Sequence, residues 1–223
     1  MIYFFNDDAG SDKLIIKGEM FKYLVKVRRH SLGDELHVRT KNDITLLHLY
    51  RVASIESRAL VLELSASKQS VVESDKELHI AWCIIDAKSI EKVLPSLCEI
   101  GVSRISFLSC QRSQKNFKLD FKRFERIVEA SMQQSGRTSL MQFDRYKSVE
   151  SFIREYPDTK VFDFCERTLD DASRFKQVLI GCEGGFSPEE KLFLESQEVF
   201  RLKTDMVLRS ESAVMAIASK ILL

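Results

Sequence analysis

Apolar positions in the first third of the chain fall in short alternating runs: Leu36, Val38 and Thr40, then Thr45, Leu47 and Leu49, on either side of the turn-like Lys41-Asn42-Asp43. A period of two puts one face of an extended segment against a core, so these runs predict strands joined by a hairpin. Ile2 to Phe5, Leu14 to Ile16 and Leu60 to Leu64 are further strand candidates, and Glu19 to Arg29 is the one segment suited to a helix. Together they predict a small β-barrel with one helix over residues 1–70. The polar stretch from Lys68 to Glu77 precedes a strong apolar run. That change places a linker at 71–77 and a second domain at 78–223.

In the second domain the period alternates between strand and helix. Leu78 to Ile85 reads as a buried strand, followed by a helix from Ser89 with Ile90, Val93, Leu94 and Leu97 on one face and a stop near Gly101. Pro95 falls inside that helix and is expected to kink or weaken it. Next come strand Ile105 to Leu108, helix Asp120 to Ser135 stopped by Gly136, and strands Val161 to Phe164 and Val178 to Ile180. A helix opening at Ser187-Pro188-Glu189-Glu190 has an N-terminal proline and capping-box spacing. Strand Val199 to Leu202 and a last helix from about Ser210 complete the order, which implies an α/β domain around a mostly parallel sheet.

Composition narrows the class. Of 223 residues, 44% are hydrophobic and 30% charged, enough apolar material for a core and too much for a disordered chain. The formal net charge is only +1, so a nucleic-acid surface has to come from local clusters. Two such clusters exist: Lys17 to Arg29 has five basic residues against one acidic, and Arg112 to Arg137 seven against three. Either is also what a solvated helix face looks like. The cysteines Cys83, Cys98, Cys110, Cys165 and Cys182 are odd in number and lack C-x-x-C spacing, so they read as reduced thiols with no metal site. With no signal-like start and no stretch of roughly 20 apolar residues, a cytoplasmic protein is expected.

Candidate chemistry gathers in Val178-Leu-Ile-Gly181-Cys-Glu183-Gly184-Gly185-Phe-Ser-Pro, where three of the chain's eight glycines follow a buried-looking strand. Such a loop lets a ligand touch backbone. It lacks the G-x-G-x-x-G and G-K-[ST] patterns, and Glu183 would repel phosphate, which disfavours nucleoside triphosphates and NAD. A ligand with adenosine but no phosphates, such as S-adenosylmethionine, suits it better. A tight turn without a ligand is the alternative reading of the glycines alone. In Leu202-Lys-Thr-Asp-Met-Val-Leu208-Arg209-Ser-Glu211-Ser-Ala213, a charged pair stands at the mouth of the last helix. The two strand ends are expected to lie side by side and form a crevice. Alone, Glu211 could serve the helix dipole and Arg209 the solvent.

Taken together, the two stretches resemble the I-G-P-E-G-G-[FL]-[ST]-x-x-E and L-G-x-R-[IV]-L-R-x-E-[TS]-A signature of the 16S ribosomal RNA uracil-N3 methyltransferase family of the SPOUT (α/β-knot) superfamily. Tyr23 to Leu36 is similar to the family's V-L-R-x-x-x-G-D segment, Glu99-Ile-Gly-Val102 to its E-L-G-V, Arg112-Ser113 to its E-R-S, and Ala130 to Arg137 to its A-x-E-Q-S-x-R. Departures are Gln111 for glutamate, Cys182 for proline, and Thr204 and Met206 where glycine and arginine are common. Cys182 reads as a small apolar substitute rather than a nucleophile.

The resemblance implies a PUA-like RNA-binding barrel, a C-terminal trefoil-knot domain and a homodimer with cofactor sites near its interface. It implies S-adenosylmethionine held by Phe164, Leu179, Ile180, Gly181, Cys182, Glu183, Gly184, Gly185, Leu202, Thr204, Val207, Leu208 and Ser210. Its substrate would be 16S ribosomal RNA or the small ribosomal subunit, gripped by Lys22, Arg28, Arg29, Arg112, Gln134 and Arg137. Methylation at N3 needs loss of an imide proton and stabilisation of charge on the flanking carbonyls, roles assigned to Glu211 and Arg209. Other RNA positions, or a non-catalytic ribosome-assembly factor, are the competing readings.

Overall fold

The computed structural model describes residues 1–114, 118–169 and 175–223. Two compact units divide the chain, Met1–Val72 with Gln133–Ser139, and Glu73–Met132 with Leu140–Leu223. Lys115, part of the second basic cluster, lies outside the described residues.

The first unit contains β1 (Phe4–Phe5), β2 (Lys13–Lys17), α1 (Gly18–Lys22), β3 (Glu35–Arg39), β4 (Leu46–Ile55) and β5 (Ala59–Gln69). They form one sheet in the order β1-β3-β4-β5-β2, parallel at β1–β3 and antiparallel elsewhere. Alternation in β2 points Leu14 and Ile16 inward, where they meet Phe21, Leu24, Val38, Tyr50 and Leu60. Each such buried side chain contributes roughly 1.5–3 kcal/mol. Two register shifts between β4 and β5, at Leu49/Tyr50 and Val52/Ser54, bend the pair and curl the sheet around this core.

The expected helix from Glu19 to Arg29 is shorter and irregular. α1 ends at Lys22 and continues as a π-helical turn, Tyr23–Val27, which is wider than an α-turn. Arg29 then takes φ 60°, a left-handed conformation that reverses the chain into β3. The segment 133–139 returns to this unit: the Gln133 carbonyl accepts from Ile2 and Tyr3 amides at 2.7 and 3.3 Å, and Thr138 and Val72 exchange bonds at 2.9 Å.

The second unit runs β6 (His79–Cys83), α2 (Ala87–Ile100), β7 (Arg104–Leu108), α3 (Phe121–Ser135), β8 (Gln142–Tyr146), α4 (Val149–Glu155), β9 (Lys160–Phe162), β10 (Gln177–Ile180), α5 (Pro188–Phe193), β11 (Val199–Phe200) and α6 (Ser210–Leu222). Among the described residues its six strands are all parallel, in the order β11-β9-β10-β6-β7-β8. Every residue of β6 is buried, as expected of a central parallel strand. The sheet grows outward from β6 on one side through β7 and β8, then resumes on the other side.

Several expectations need correction. Strand β8 and helix α4 were not foreseen, because β8 is an edge strand, Gln-Phe-Asp-Arg-Tyr, with only part of its surface buried and no strict alternation. Pro95 does not break α2, which continues from its Asp86 cap to a left-handed Gly101. Its face of Ile90, Leu94, Leu97 and Cys98 is buried throughout, and the Pro95 carbonyl accepts from Ser131 Oγ at 2.8 Å. The cysteines are not all reduced: Cys83 and Cys110 form a disulfide. Parallel pairing sets Cys83 opposite Leu108, so Cys110, two residues further on, comes within a Cα–Cα distance of 5.7 Å across 27 positions of sequence. Finally, β10 and β11 are not neighbours, because β9 lies between them.

Candidate functional site

At the carboxyl ends of β9, β10 and β11 lies a cavity of about 310 Å³. Ligands of open parallel sheets sit outside strand carboxyl ends, and this volume is at the small end of the range for ligand pockets. Three successive strand ends supply the walls: Phe162 to Phe164 at the end of β9, Ile180 to Phe186 except Gly184 at the end of β10, and Arg201 to Leu208 except Lys203 after β11, with Ser210 and Ala213 of α6 behind.

The glycine loop is held from below. Trp82 Nε1, fully buried in β6, donates to Ser210 Oγ at 2.8 Å, and Ser210 Oγ donates to the Gly181 carbonyl at 2.5 Å. Gly185 has φ 65°, and its amide donates to the Cys182 carbonyl at 2.9 Å, closing a turn that a β-carbon would strain. Ser187 and Glu190 form the expected capping box at the start of α5. Burial pushes the Cys182 thiol up, which leaves it protonated and a poor nucleophile.

The opposite wall is a set of tight turns. Thr204 Oγ1 accepts from the Met206 amide at 3.2 Å, and Arg201 Nη1 donates to the Thr204 carbonyl at 3.1 Å. Thr204 therefore secures this loop through its hydroxyl. Phe164, Met206 and Val207 are about three-quarters exposed, 75%, 76% and 76%, forming an apolar rim. Acidic groups stand around the cavity at Asp163, Glu183 and Asp205, and Asp163 pairs with Lys191 at 3.0 Å.

Of the thirteen residues expected at a cofactor, eleven line this cavity. Leu179 is fully buried within β10, and Gly184 faces Arg112 instead. The sequence reading missed Asp163, which enters because β9 intervenes, and Arg201, which directly follows β11. It also missed Trp82, although a lone tryptophan in a buried strand needs a partner for its N–H.

Arg209 and Glu211 open on a different cavity, shared with Lys92, Val93 and Met215. Glu211 Oε2 is buried there with no hydrogen-bond partner among the described residues. In the first unit, Lys22 pairs with Glu19 at 2.6 Å, and Arg29 is exposed. Arg28 lies 5.3 Å from the centre of the Tyr23 ring, donating to Tyr23 OH at 2.8 Å and to Gln134 Oε1 at 3.2 Å. Arg137 is not a surface residue. It is 6% exposed, its Nε donates to the Ser139 carbonyl at 2.7 Å, and its own carbonyl accepts from Tyr3 OH. Arg112 Nη1 donates to the Gly184 carbonyl at 2.7 Å. Among the described residues, no group of three acidic, histidine or cysteine side chains is placed to hold a metal, and no helix is long and apolar enough to cross a membrane.

A parallel sheet with a glycine-lined pocket at its strand ends defines an α/β ligand-binding protein. Residues 72–222 match the family model described as RNA methyltransferase domain, and the chain belongs to that family. It is 34% identical to Ribosomal RNA small subunit methyltransferase E of Helicobacter pylori, over 98% of both chains. Ribosomal RNA small subunit methyltransferase E 2 of Borreliella burgdorferi is 23% identical, over 92% of this chain and 89% of that one. Among solved structures, Ribosomal RNA small subunit methyltransferase E of Neisseria gonorrhoeae bound to S-adenosyl methionine shares the fold with a TM-score of 0.73 at 18% identity, covering 98% of this chain and 95% of that one. A Legionella pneumophila methyltransferase in complex with the same cofactor gives 0.74 at 20% identity, covering 98% and 94%.

Proposed function

We propose that this protein is an S-adenosylmethionine-dependent methyltransferase acting on N3 of a uridine in 16S ribosomal RNA, and that it works in the cytoplasm. The observation that carries the reading is the strand-end cavity whose wall is the Gly181–Gly185 loop. Its lining suits the cofactor: the apolar rim and the backbone groups of the glycine loop would hold it, and the carboxylates of Glu183 and Asp205 repel phosphate and favour a cationic ligand. When bound, S-adenosylmethionine supplies an electrophilic methyl group.

The protein's own residues do the rest. N3 lies on the Watson–Crick edge, so the target uridine has to be unpaired or extruded before it reaches the pocket. Arg209 stabilises negative charge on the flanking carbonyl oxygens, and Glu211 accepts the imide proton. Both line a second cavity that shares Val207 and Leu208 with the first, and Glu211 Oε2 lacks a partner among the described residues. A homodimer packed across that second cavity would bring the pair into use. The curled first unit reads as a PUA-like barrel whose Lys22, Arg28, Arg29 and Gln134 hold RNA, and the strand order β11-β9-β10-β6 is consistent with a C-terminal trefoil knot.

Calorimetric titration with S-adenosylmethionine and its demethylated product, joined to mapping of modified uridines in ribosomal RNA from cells with and without the protein, tests this reading. Binding together with loss of one N3-methyluridine is expected. Binding with a different lost modification would redirect the substrate, and no binding at millimolar ligand would favour a non-catalytic RNA-binding factor.

A further inference from the structure

Arg112 belongs to a basic stretch and looks like an RNA contact in sequence, yet its guanidinium is directed at the glycine loop. Nη1 donates to the Gly184 carbonyl at 2.7 Å, a charge-assisted bond. Its stem lies along the same residue: a β-carbon built on Gly184 would sit 3.2 Å from Arg112 Cβ and 3.4 Å from Cδ. Gly184 does not line the cavity, but its neighbours Glu183 and Gly185 do.

The turn that presents Arg112 is itself rigid. Ser113 N donates to the Cys110 carbonyl at 3.0 Å, Cys110 N donates to Ser113 Oγ at 3.1 Å, and Ser113 is 9% exposed. Cys110 is tied by its disulfide to Cys83 at the end of β6. Gln111 N donates to Glu190 Oε1 at 2.9 Å, while Glu190 Oε2 accepts from Ser187 N. The loop after β10 is thus clasped at two points by the turn after β7, at Gly184 and at the start of α5.

We propose that Arg112 is a positioning residue of the cofactor loop, fixing Gly184 so that residues 181–186 keep their ligand-ready shape, and that it is not a phosphate contact. The proposal rests on reading the strand-end cavity as the cofactor site. Because Arg112 acts on a backbone carbonyl, a lysine should replace it in part: its ammonium can reach the carbonyl on a similar aliphatic stem, but without the fixed fork of a guanidinium.

The test compares Arg112→Ala and Arg112→Lys with the unsubstituted protein by three readouts. Amide hydrogen exchange over 181–186 is followed without ligand, S-adenosylmethionine affinity by calorimetry, and RNA affinity against salt concentration. The expected result is exchange and cofactor dissociation constant both raised roughly tenfold in Arg112→Ala, equivalent to about 1.4 kcal/mol. Arg112→Lys should restore most of both, with the RNA salt slope unchanged in either variant. Unaltered exchange and cofactor affinity, with a salt slope reduced by about 0.7, would make Arg112 an RNA contact and overturn the proposal. Exchange needs no ligand. If S-adenosylmethionine fails to bind the unsubstituted protein while Arg112→Ala still loosens the loop, the functional reading falls and the positioning role stands.

Discussion

Ser210 at the start of α6 donates its hydroxyl proton to the carbonyl of Gly181 at the end of β10, across 2.5 Å and 29 positions of sequence. The same oxygen accepts from Trp82 Nε1 in β6, so one side chain joins the central strand, the glycine loop and the last helix. Ser210→Ala should leave a buried indole N–H and a carbonyl without partners, at a cost of about 1–3 kcal/mol. Urea unfolding should show a lower midpoint and calorimetry a weaker hold on S-adenosylmethionine. An unchanged midpoint with unchanged affinity would mean that this link does not support the pocket.

Glu211→Gln and Arg209→Ala should slow methyl transfer far more than they weaken cofactor binding. A positioned base is typically worth a factor of about 10² to 10⁴, and part of that loss should return at higher pH, where uracil ionises unaided. Single-turnover transfer on enzyme-bound RNA separates this from weakened association. A rate equal to the unsubstituted protein at every pH would reduce Glu211 to a helix-end residue.

Arg28→Ala with Arg29→Ala should shrink the log–log salt slope of single-stranded RNA binding by roughly 0.7 per residue and leave cofactor affinity intact. Arg137→Ala should behave differently. Because Arg137 is buried and bonded to Ser139, its loss should appear as reduced stability of the first unit in thermal unfolding. A stable Arg137→Ala protein with a reduced salt slope would put Arg137 back among the RNA contacts.

Burial, followed by the nearby Arg104 charge, lowers His79 from its ordinary 6.5 to about 4. The unfolded chain then binds a proton that the native state refuses between those values, so native stability is full above pH 6.5 and declines as pH falls towards 4. The decline attributable to His79 is about 3 kcal/mol at most. Urea midpoints at pH 7 and pH 5 should differ less in His79→Gln than in the unsubstituted protein. An equal difference would exclude His79 as the source.

Thiol titration in denaturant should find the three free cysteines, Cys98, Cys165 and Cys182, in protein purified without reductant. After reduction all five should react. Opening the bond should lower stability by about 2–4 kcal/mol, the usual range for a disulfide. Five reactive thiols before reduction would mean that the Cys83–Cys110 bond does not form under those conditions.

What the sequence disclosed was local. A run buried on every side, Leu78 to Ile85, reads as a central strand because it is apolar throughout apart from His79. Ser187 and Glu190 announce a helix start through spacing alone, and three glycines in five positions mark a loop open to a ligand. Residues singled out in the loops after β10 and β11 do meet around one cavity. What escaped depends on which segments become neighbours. Nothing local places β9 between β10 and β11, so Asp163 was not expected at the cavity. Cys83 and Cys110 meet only because β6 and β7 are parallel and in register. Arg28 and Arg137 look equally basic in sequence, yet one is exposed and the other enclosed, a difference set by the return of 133–139 to the first sheet.

That return has a bearing on heredity as well as on folding. The peptide backbone passes between the two units near residues 72, 132 and 139. A gene fragment ending at residue 72 would encode a barrel without the carbonyl of Gln133 that receives Ile2 and Tyr3, and without Thr138 to pair with Val72. Recombination could not swap the first unit for another barrel at a single crossover, because the middle of the second unit's coding sequence carries part of the first.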